Sequence, residues 1–174
     1  MFSIVPERAF RVKLFATALV LAAGCAPSLR GGYVAKDGMR YRVVAPPEAS
    51  WRPLAFGEND VAFGARQSPH LIAANATCSD HGDPPIDVLA QHLLFGFSER
   101  EALVRTPSTL DGREAMKVVG PAALDGVAVD LELWVVKKDG CVYDFTYIAP
   151  RGQAPAQQAA FDAVVQGFHA EAKP

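Results

Sequence analysis

Four Asp-Gly pairs constrain the fold of this chain more than any other feature of its sequence. They stand at Asp37-Gly38, Asp111-Gly112, Asp125-Gly126 and Asp139-Gly140. Asp-Gly readily adopts the positive φ angles of tight hairpin turns, so each pair favours two adjacent antiparallel strands. Between the later pairs, apolar and polar side chains alternate as they do in half-buried strands. The second half of the chain therefore predicts an antiparallel meander.

The predicted strands fall into three groups. A first hairpin runs from Tyr33 to Val44, and Pro46-Pro47 ends it. Two short strands that pair with each other are predicted at 60–66 and 70–77. The meander itself is predicted to comprise 102–106, 113–119, 127–136 and 141–149.

Two helices are predicted beside these strands. The first begins after Asp83-Pro84-Pro85, where Asp83 is a suitable N-cap, and its apolar face carries Ile86, Leu89, Ala90, Leu93, Leu94 and Phe97. The second lies beyond Pro155 and places Phe161, Val164, Val165 and Phe168 on one face. A composition of 50% hydrophobic and 21% charged residues is typical of a globular domain. The predicted strands and helices together indicate one α+β domain over 33–174, with an antiparallel sheet of about six or seven strands and two main helices.

The last hairpin permits a prediction of register. Val127, Val129, Leu131, Leu133 and Val135 share one face of their strand, and Tyr143, Phe145 and Tyr147 share one face of the next. A two-residue turn at Asp139-Gly140 would place these apolar rows on opposite faces of the sheet. A three-residue loop, 138–140, would unite them. The pattern therefore predicts the three-residue loop.

Residues 1–24 have the features of a secretory signal peptide. Arg8, Arg11 and Lys13 precede an apolar stretch at 14–23, which is shorter than the roughly 20 residues of a permanent membrane span. The following Leu21-Ala-Ala-Gly-Cys25 resembles the lipobox of bacterial lipoproteins. This resemblance implies removal of 1–24 and lipidation of the Cys25 thiol, and a cleaved signal without lipid is the alternative.

The predicted tether is short. Residues 25–32 would join the lipidated Cys25 to the domain, and seven residues span at most roughly 25 Å. Ala26, in place of Asp, resembles the signal for the outer membrane in enteric bacteria. We therefore expect a domain on the periplasmic face of the outer membrane, favoured over the inner membrane, with a local envelope protein as partner.

The sequence does not contain the motifs of common enzyme classes. The chain has no Gly-x-Ser-x-Gly elbow, phosphate-binding glycine loop or His-Glu-x-x-His pattern. The net charge of −2, without a run of basic residues, argues against nucleic-acid binding. We expect a non-catalytic protein without a cofactor.

The best metal-like cluster is Asp80, His81 and Asp83, with His70 and His92 near it in the sequence. Asp and Gly are also what a solvated loop before a helix requires, and zinc sites normally show more regular Cys and His spacing. No metal site is favoured. Cys78 near His81 could be a thiol nucleophile beside a base, but such pairs are usually distant in sequence.

Cys78 and Cys141 remain as a pair once Cys25 is used for lipidation. An exported protein meets an oxidising compartment, where two remaining cysteines favour one disulfide. Side chains an even number of residues apart in a strand point to the same face of the sheet. Cys78 therefore shares a face with Ile72, Ala74 and Ala76, and Cys141 shares one with Tyr143. Two buried free thiols are the alternative.

Three groups of residues carry a resemblance to a known fold. They are Tyr41-Arg-Val-Val-Ala-Pro46 with Trp51 beyond it, Leu110-Asp-Gly-Arg-Glu-Ala115, and Phe161 to Phe168. Together with the element order they resemble the PsbP-like family. That resemblance implies an α/β/α sandwich around an antiparallel sheet, in a family whose members mostly bind or stabilise other proteins. Fold alone does not transfer function.

Two functional hypotheses follow. The first is a non-catalytic envelope lipoprotein that binds or supports a neighbouring membrane-associated protein complex. The alternative is a small-ligand or metal-binding periplasmic lipoprotein that uses the Asp80 to His92 region. Trp134, on the polar face of its strand, marks either an apolar patch beneath the C-terminal helix or one that a partner uses.

Overall fold

The computed structural model describes residues 31–36, 39–55, 59–78 and 82–171. The strands in this part of the chain are β1 (Tyr33–Lys36), β2 (Met39–Arg42), β3 (Trp51–Leu54), β4 (Val61–Ala65), β5 (Leu71–Thr77), β6 (Phe97–Ser98), β7 (Val104–Leu110), β8 (Arg113–Leu124), β9 (Val127–Lys138), β10 (Cys141–Pro150) and β11 (His169–Glu171). The helices are α1 (Ile86–Leu93) and α2 (Gln158–Gln166), and a 3₁₀ turn, Ala154–Ala156, precedes α2.

Eight of the strands form one large antiparallel sheet. Its order is β3-β4-β5-β10-β9-β8, and both β6 and β7 pair with β8 at the far edge. The predicted meander of β7 to β10 and the predicted pairing of β4 with β5 are confirmed. Strands β8 and β9 each run to 12 residues, which is longer than their alternation predicts.

A second, smaller sheet has the order β1-β2-β11. The predicted N-terminal hairpin is confirmed, since β1 pairs antiparallel with β2, although Asp37 and Gly38 lie outside the described residues. Strand β11 follows α2 directly and pairs with β2. The small sheet thereby joins the beginning of the described chain to its end.

The two helices cover opposite faces of the large sheet. Helix α1 buries Ile86, Leu89 and Ala90 against one face, in a cluster with Leu131, Leu133 and Val135. Helix α2 buries Phe161, Val164 and Val165 against the other face, in a cluster with Tyr143, Phe145 and Tyr147. The fold is α+β, with the sheet between the two helices.

The predicted three-residue loop at 138–140 is wrong. Cys141 pairs with Lys138, and the turn has the two residues Asp139 and Gly140, with φ angles of 52° and 78°. Because helices cover both faces of the sheet, apolar residues can be buried on either face. The row of Val129 to Val135 packs under α1, and Tyr143, Phe145 and Tyr147 pack under α2.

This register buries two carboxylates, and both have hydrogen-bond donors. Glu132 accepts from Trp134 Nε1 at 2.8 Å and from Gln158 Nε2 of α2 at 2.9 Å, and Lys117 Nζ lies 2.9 Å from it. Asp144 accepts from Asn75 Nδ2 at 3.0 Å. A buried charge is tolerated when it is paired in this way.

The predicted N-cap at Asp83 is also wrong. Pro85 occupies the N-cap position of α1, and no side chain caps the helix there. The Asp83 carboxylate instead accepts a hydrogen bond from Lys137 Nζ of β9 at 2.6 Å. Pro84 occupies the position before the cap, so Asp83 lies two residues before the N-cap, too early to bond the first free amides.

Cys78 and Cys141 form the disulfide that the sequence predicts. Their Cα atoms are 4.1 Å apart and their sulfur atoms 2.27 Å apart. The next pair in the register is Thr77 with Val142, so the bridge joins the residue that directly follows β5 to the first residue of β10. It fixes the end of the large sheet that lies nearest the small one.

Two strands at opposite edges of the large sheet contain proline, whereas the two-residue edge strand β6 does not. Pro53 lies in the edge strand β3 and Pro107 in the edge strand β7. Proline lacks the amide hydrogen that an added strand would need, so these edges disfavour strand addition by another chain. None of the helices within the described ranges is long and apolar enough to cross a membrane.

Candidate functional site

The structure does not bring the predicted ligand cluster together. Cys25, Asp80 and His81 lie outside the described residues. Asp83 is exposed and is paired with Lys137. Within the described ranges, no group of three or more His, Cys, Asp or Glu side chains could hold a metal ion.

The two histidines nearest this region lie on opposite sides of the sheet. His92 is exposed on α1, where its ring stacks on Phe95 with centroids 5.4 Å apart. His70 is buried and stacks on Tyr147, in the cluster under α2. Its ring nitrogens contact Ser68 Oγ at 2.7 Å and Gln153 O at 3.1 Å. His70 is therefore a packing residue.

Trp134 lies on the face of the sheet that α2 covers. It is half-buried against the cluster that contains Phe161, and its indole donates to Glu132 at 2.8 Å. Lys117 Nζ lies 5.3 Å from the ring centroid. Of the two interpretations of Trp134, the structure supports the patch beneath the C-terminal helix.

A cleft of about 350 Å³ opens between residues 45–48, β3 and the start of β4; we call it the β3–β4 cleft. Trp51, Val61 and Phe63 contribute its buried apolar side, with exposed fractions of 1%, 7% and 7%. Pro53 and Leu54 of the edge strand form the outer wall. Leu54 lies over Gly64, where a Cβ atom would come within 2.9 Å of its Cδ1. Glycine at 64 thus leaves room for the Leu54 side chain.

A buried carboxylate, Asp60, lines the same cleft. Its Oδ2 accepts from the Tyr41 hydroxyl at 3.0 Å and from the Ala76 amide at 2.8 Å. The Asp60 amide donates to Asn75 Oδ1 at 3.1 Å. Burial, with Asp60 beside it, raises the pKa of Tyr41 far above its ordinary value. Tyr41 therefore stays protonated and acts as a permanent donor that holds Asp60 in place.

A second carboxylate, Glu48, stands at the mouth of the cleft on an exposed loop. The loop is fixed by backbone bonds, since Ser50 N and Trp51 N both donate to Pro47 O at 3.0 Å and 2.9 Å. Arg66 of the β4–β5 loop donates through Nε to the Glu48 carbonyl at 2.8 Å. The position of Glu48 is therefore set by the backbone.

The cleft has the character of a binding site. Its described lining has eight apolar residues and two acidic residues, and it includes no histidine, cysteine, serine or basic side chain. Its volume lies in the range of small-ligand sites, which are mostly apolar with a few polar groups. The arrangement can hold an apolar group that carries a donor or a positive charge.

The cleft also lies close to the point where the N-terminal segment meets the domain. The amide of Val43 donates to the carbonyl of Gly32 at 2.9 Å, and Ala45, two residues further on, already lines the cleft. The chain that leads back toward Cys25 therefore leaves the described fold beside this cleft.

Local sequence patterns contain little that indicates this site. Strand β3 was not predicted, because Pro53 interrupts a short segment without clear alternation. A usable signal was Asp60, a carboxylate placed directly before the apolar run Val61-Ala-Phe63. Its burial depends on Tyr41 and Asn75, partners 19 and 15 residues away, which no local pattern reveals.

Comparison with known proteins identifies similar folds. No protein-family model matches the chain, and no curated protein matches it in sequence. A crystal structure of LpqN, involved in cell envelope biogenesis of Mycobacterium tuberculosis, superposes with a TM-score of 0.52 at 17% identity, over 77% of this chain and 84% of LpqN. The solution structure of cyanobacterial PsbP (CyanoP) from Synechocystis gives a TM-score of 0.46 at 12% identity, over 86% and 96% of the two chains. The similarity to LpqN shows a shared fold.

Proposed function

We propose that this chain is a non-catalytic envelope lipoprotein whose domain binds a neighbouring membrane-associated protein through the β3–β4 cleft. The observation that carries this proposal is the position of the cleft beside Gly32, where the segment from Cys25 meets the fold. A lipidated Cys25 would hold that side of the domain within roughly 25 Å of the membrane.

The lining of the cleft supports binding rather than catalysis. Partner proteins commonly insert an anchoring side chain into a well-packed pocket, and such anchors carry most of the binding energy. The prolines of β3 and β7 disfavour strand addition at those two strands, which favours the cleft beside β3 as the docking site. We place the domain on the periplasmic face of the outer membrane, on the basis of Ala26.

Affinity capture of the full lipidated protein from native membranes tests the proposal. Ala45 is exposed and lines the cleft, so Ala45→Trp should obstruct it without disturbing the core. Ala159 is an exposed alanine on α2, and Ala159→Trp is the matched control. We expect a reproducible membrane protein with the wild type and with Ala159→Trp, and its loss with Ala45→Trp. Failure to recover any reproducible partner, or equal recovery with both variants, would contradict the proposal.

A further inference from the structure

We infer that the β3–β4 cleft accepts a lysine or arginine side chain of its protein partner. This inference rests on the proposed function and adds the chemistry of the group that is bound. The aliphatic part of such a side chain would lie against Phe63, Pro53 and Leu54. Its cation would pair with the exposed Glu48 carboxylate, and the buried Asp60 carboxylate lies in the wall of the same cleft.

The charge of the cleft is the first reason. Both ionisable side chains in its described lining, Glu48 and Asp60, are acidic. Arg66 directs its Nε to the backbone carbonyl of Glu48 and not to the carboxylate. Among the described residues, no basic side chain forms an ion pair with the Glu48 carboxylate, and this carboxylate is exposed at the mouth. A partner cation could therefore pair with Glu48 without displacing an internal cation from it.

The depth of the cleft is the second reason. Trp51 and Phe63 are almost completely buried, while Glu48 stands at the solvent edge. A bound group therefore needs apolar surface along its length as well as a charge. Lysine and arginine have this composition, because their methylene stems pack on apolar surface while their heads stay polar. A simple inorganic cation would leave the apolar wall unused.

The rigidity of Asp60 is the third reason. Its carboxylate is held by Tyr41 and by the Ala76 amide, and Ala76 belongs to β5 in the centre of the large sheet. A carboxylate fixed before binding loses little side-chain entropy when a cation approaches. It also lies in a partly desolvated site, where a charge pair is stronger than at an open surface.

A pair of peptides tests this inference. Acetyl-Leu-Arg-Leu-amide carries a guanidinium, and the same peptide with citrulline is nearly identical in shape but neutral. Binding to the full lipidated protein in detergent micelles is followed by ligand-observed NMR, at low salt and in 0.3 M NaCl. We expect the arginine peptide to bind about fivefold more tightly or better, as a partly exposed charge pair would give, with the difference reduced by salt.

Two matched variants locate the effect. Glu48→Gln should reduce the preference for arginine, whereas Glu114→Gln, at an exposed glutamate on β8, should leave it unchanged. Ala45→Trp should weaken binding of both peptides.

Equal affinity for the two peptides, or a preference insensitive to Glu48→Gln, would overturn the inference. If membrane capture still depended on Ala45 in that case, the proposed function would stand without the cationic anchor. Failure of the wild type to capture a reproducible partner, or equal capture by Ala45→Trp and Ala159→Trp, would instead reject the proposed function itself.

Discussion

Asp111 joins the small sheet to the large one through its two carboxylate oxygens. Oδ1 lies 2.9 Å from His169 Nδ1, and Oδ2 accepts from the Ala170 amide at 3.0 Å and from Lys138 Nζ. Burial alone would raise the pKa of Asp111, but the hydrogen bonds from Lys138, His169 and Ala170 outweigh it and lower the pKa below its ordinary value. The ionised form is therefore the one that stabilises the fold.

Replacing Asp111 with Asn should destabilise the domain by about 1–2 kcal/mol, because the charge-assisted hydrogen bonds from Lys138 and His169 are lost. Asp125 is the matched control, since it opens another Asp-Gly turn with a similar positive φ but is exposed. Asp125→Asn should change stability by less than about 0.5 kcal/mol. Urea unfolding of both variants at pH 7 measures the difference.

The same substitution should alter the dependence of stability on pH. A carboxyl whose pKa is lowered on folding stabilises the protein above its unfolded pKa, and that contribution is lost as the pH falls through the folded pKa. The wild type should therefore lose more stability than Asp111→Asn between pH 5 and the acid limit of folding. Parallel curves for the two proteins over that interval would show that Asp111 contributes nothing through its charge.

At the scale of elements, the disulfide between β5 and β10 is expected to contribute most. It closes a loop of 63 residues, for which the chain-entropy model gives roughly 4 kcal/mol. The double variant Cys78→Ala, Cys141→Ala should lose most of that amount in urea unfolding, and reduced wild type should unfold at a similar urea concentration. Thiol labelling of freshly isolated, unfolded and unreduced protein provides the direct check. Labelling of both Cys78 and Cys141 would contradict the bridge.

Hairpins and helices were predictable from the sequence because their signals are local. Asp-Gly turns, alternation and the apolar spacing of Phe161, Val164 and Val165 identified the meander and α2. The register at Asp139-Gly140 was not predictable from one hairpin. This register buries Glu132, and the buried carboxylate is stabilised by Lys117 and Gln158, which belong to other elements. The short strands β3, β6 and β11 have two to four residues each, too few for a periodicity to show.

The candidate site was the least predictable part of the molecule. Histidine and aspartate near Asp83 suggested a ligand cluster, but His70 and His92 lie on opposite faces of the sheet. The cleft instead consists of ordinary apolar residues around Asp60, and its form depends on how the segment at 45–48 meets β3 and β4. A site without reactive residue types leaves no motif in the sequence.

At the scale of the whole molecule, the proposal depends on attachment to a membrane. Cys25→Ser removes the only atom at that position able to form a thioether, so the variant should leave the membrane fraction and take up no labelled fatty acid. A Cys25→Ser protein that still fractionates with membranes, together with a wild type that takes up no fatty acid, would contradict the anchor.

Photo-crosslinking from the cleft in living cells tests the central proposal most directly. Leu54, on the wall of the cleft, is replaced by p-benzoylphenylalanine in the lipidated protein, and Leu103, a similarly half-buried leucine at the opposite edge of the sheet, is the control. The account predicts one discrete membrane-protein adduct from position 54, absent from position 103 and lost when Ala45→Trp is added. No adduct from position 54, or the same adducts from both positions, would contradict a partner bound in the β3–β4 cleft.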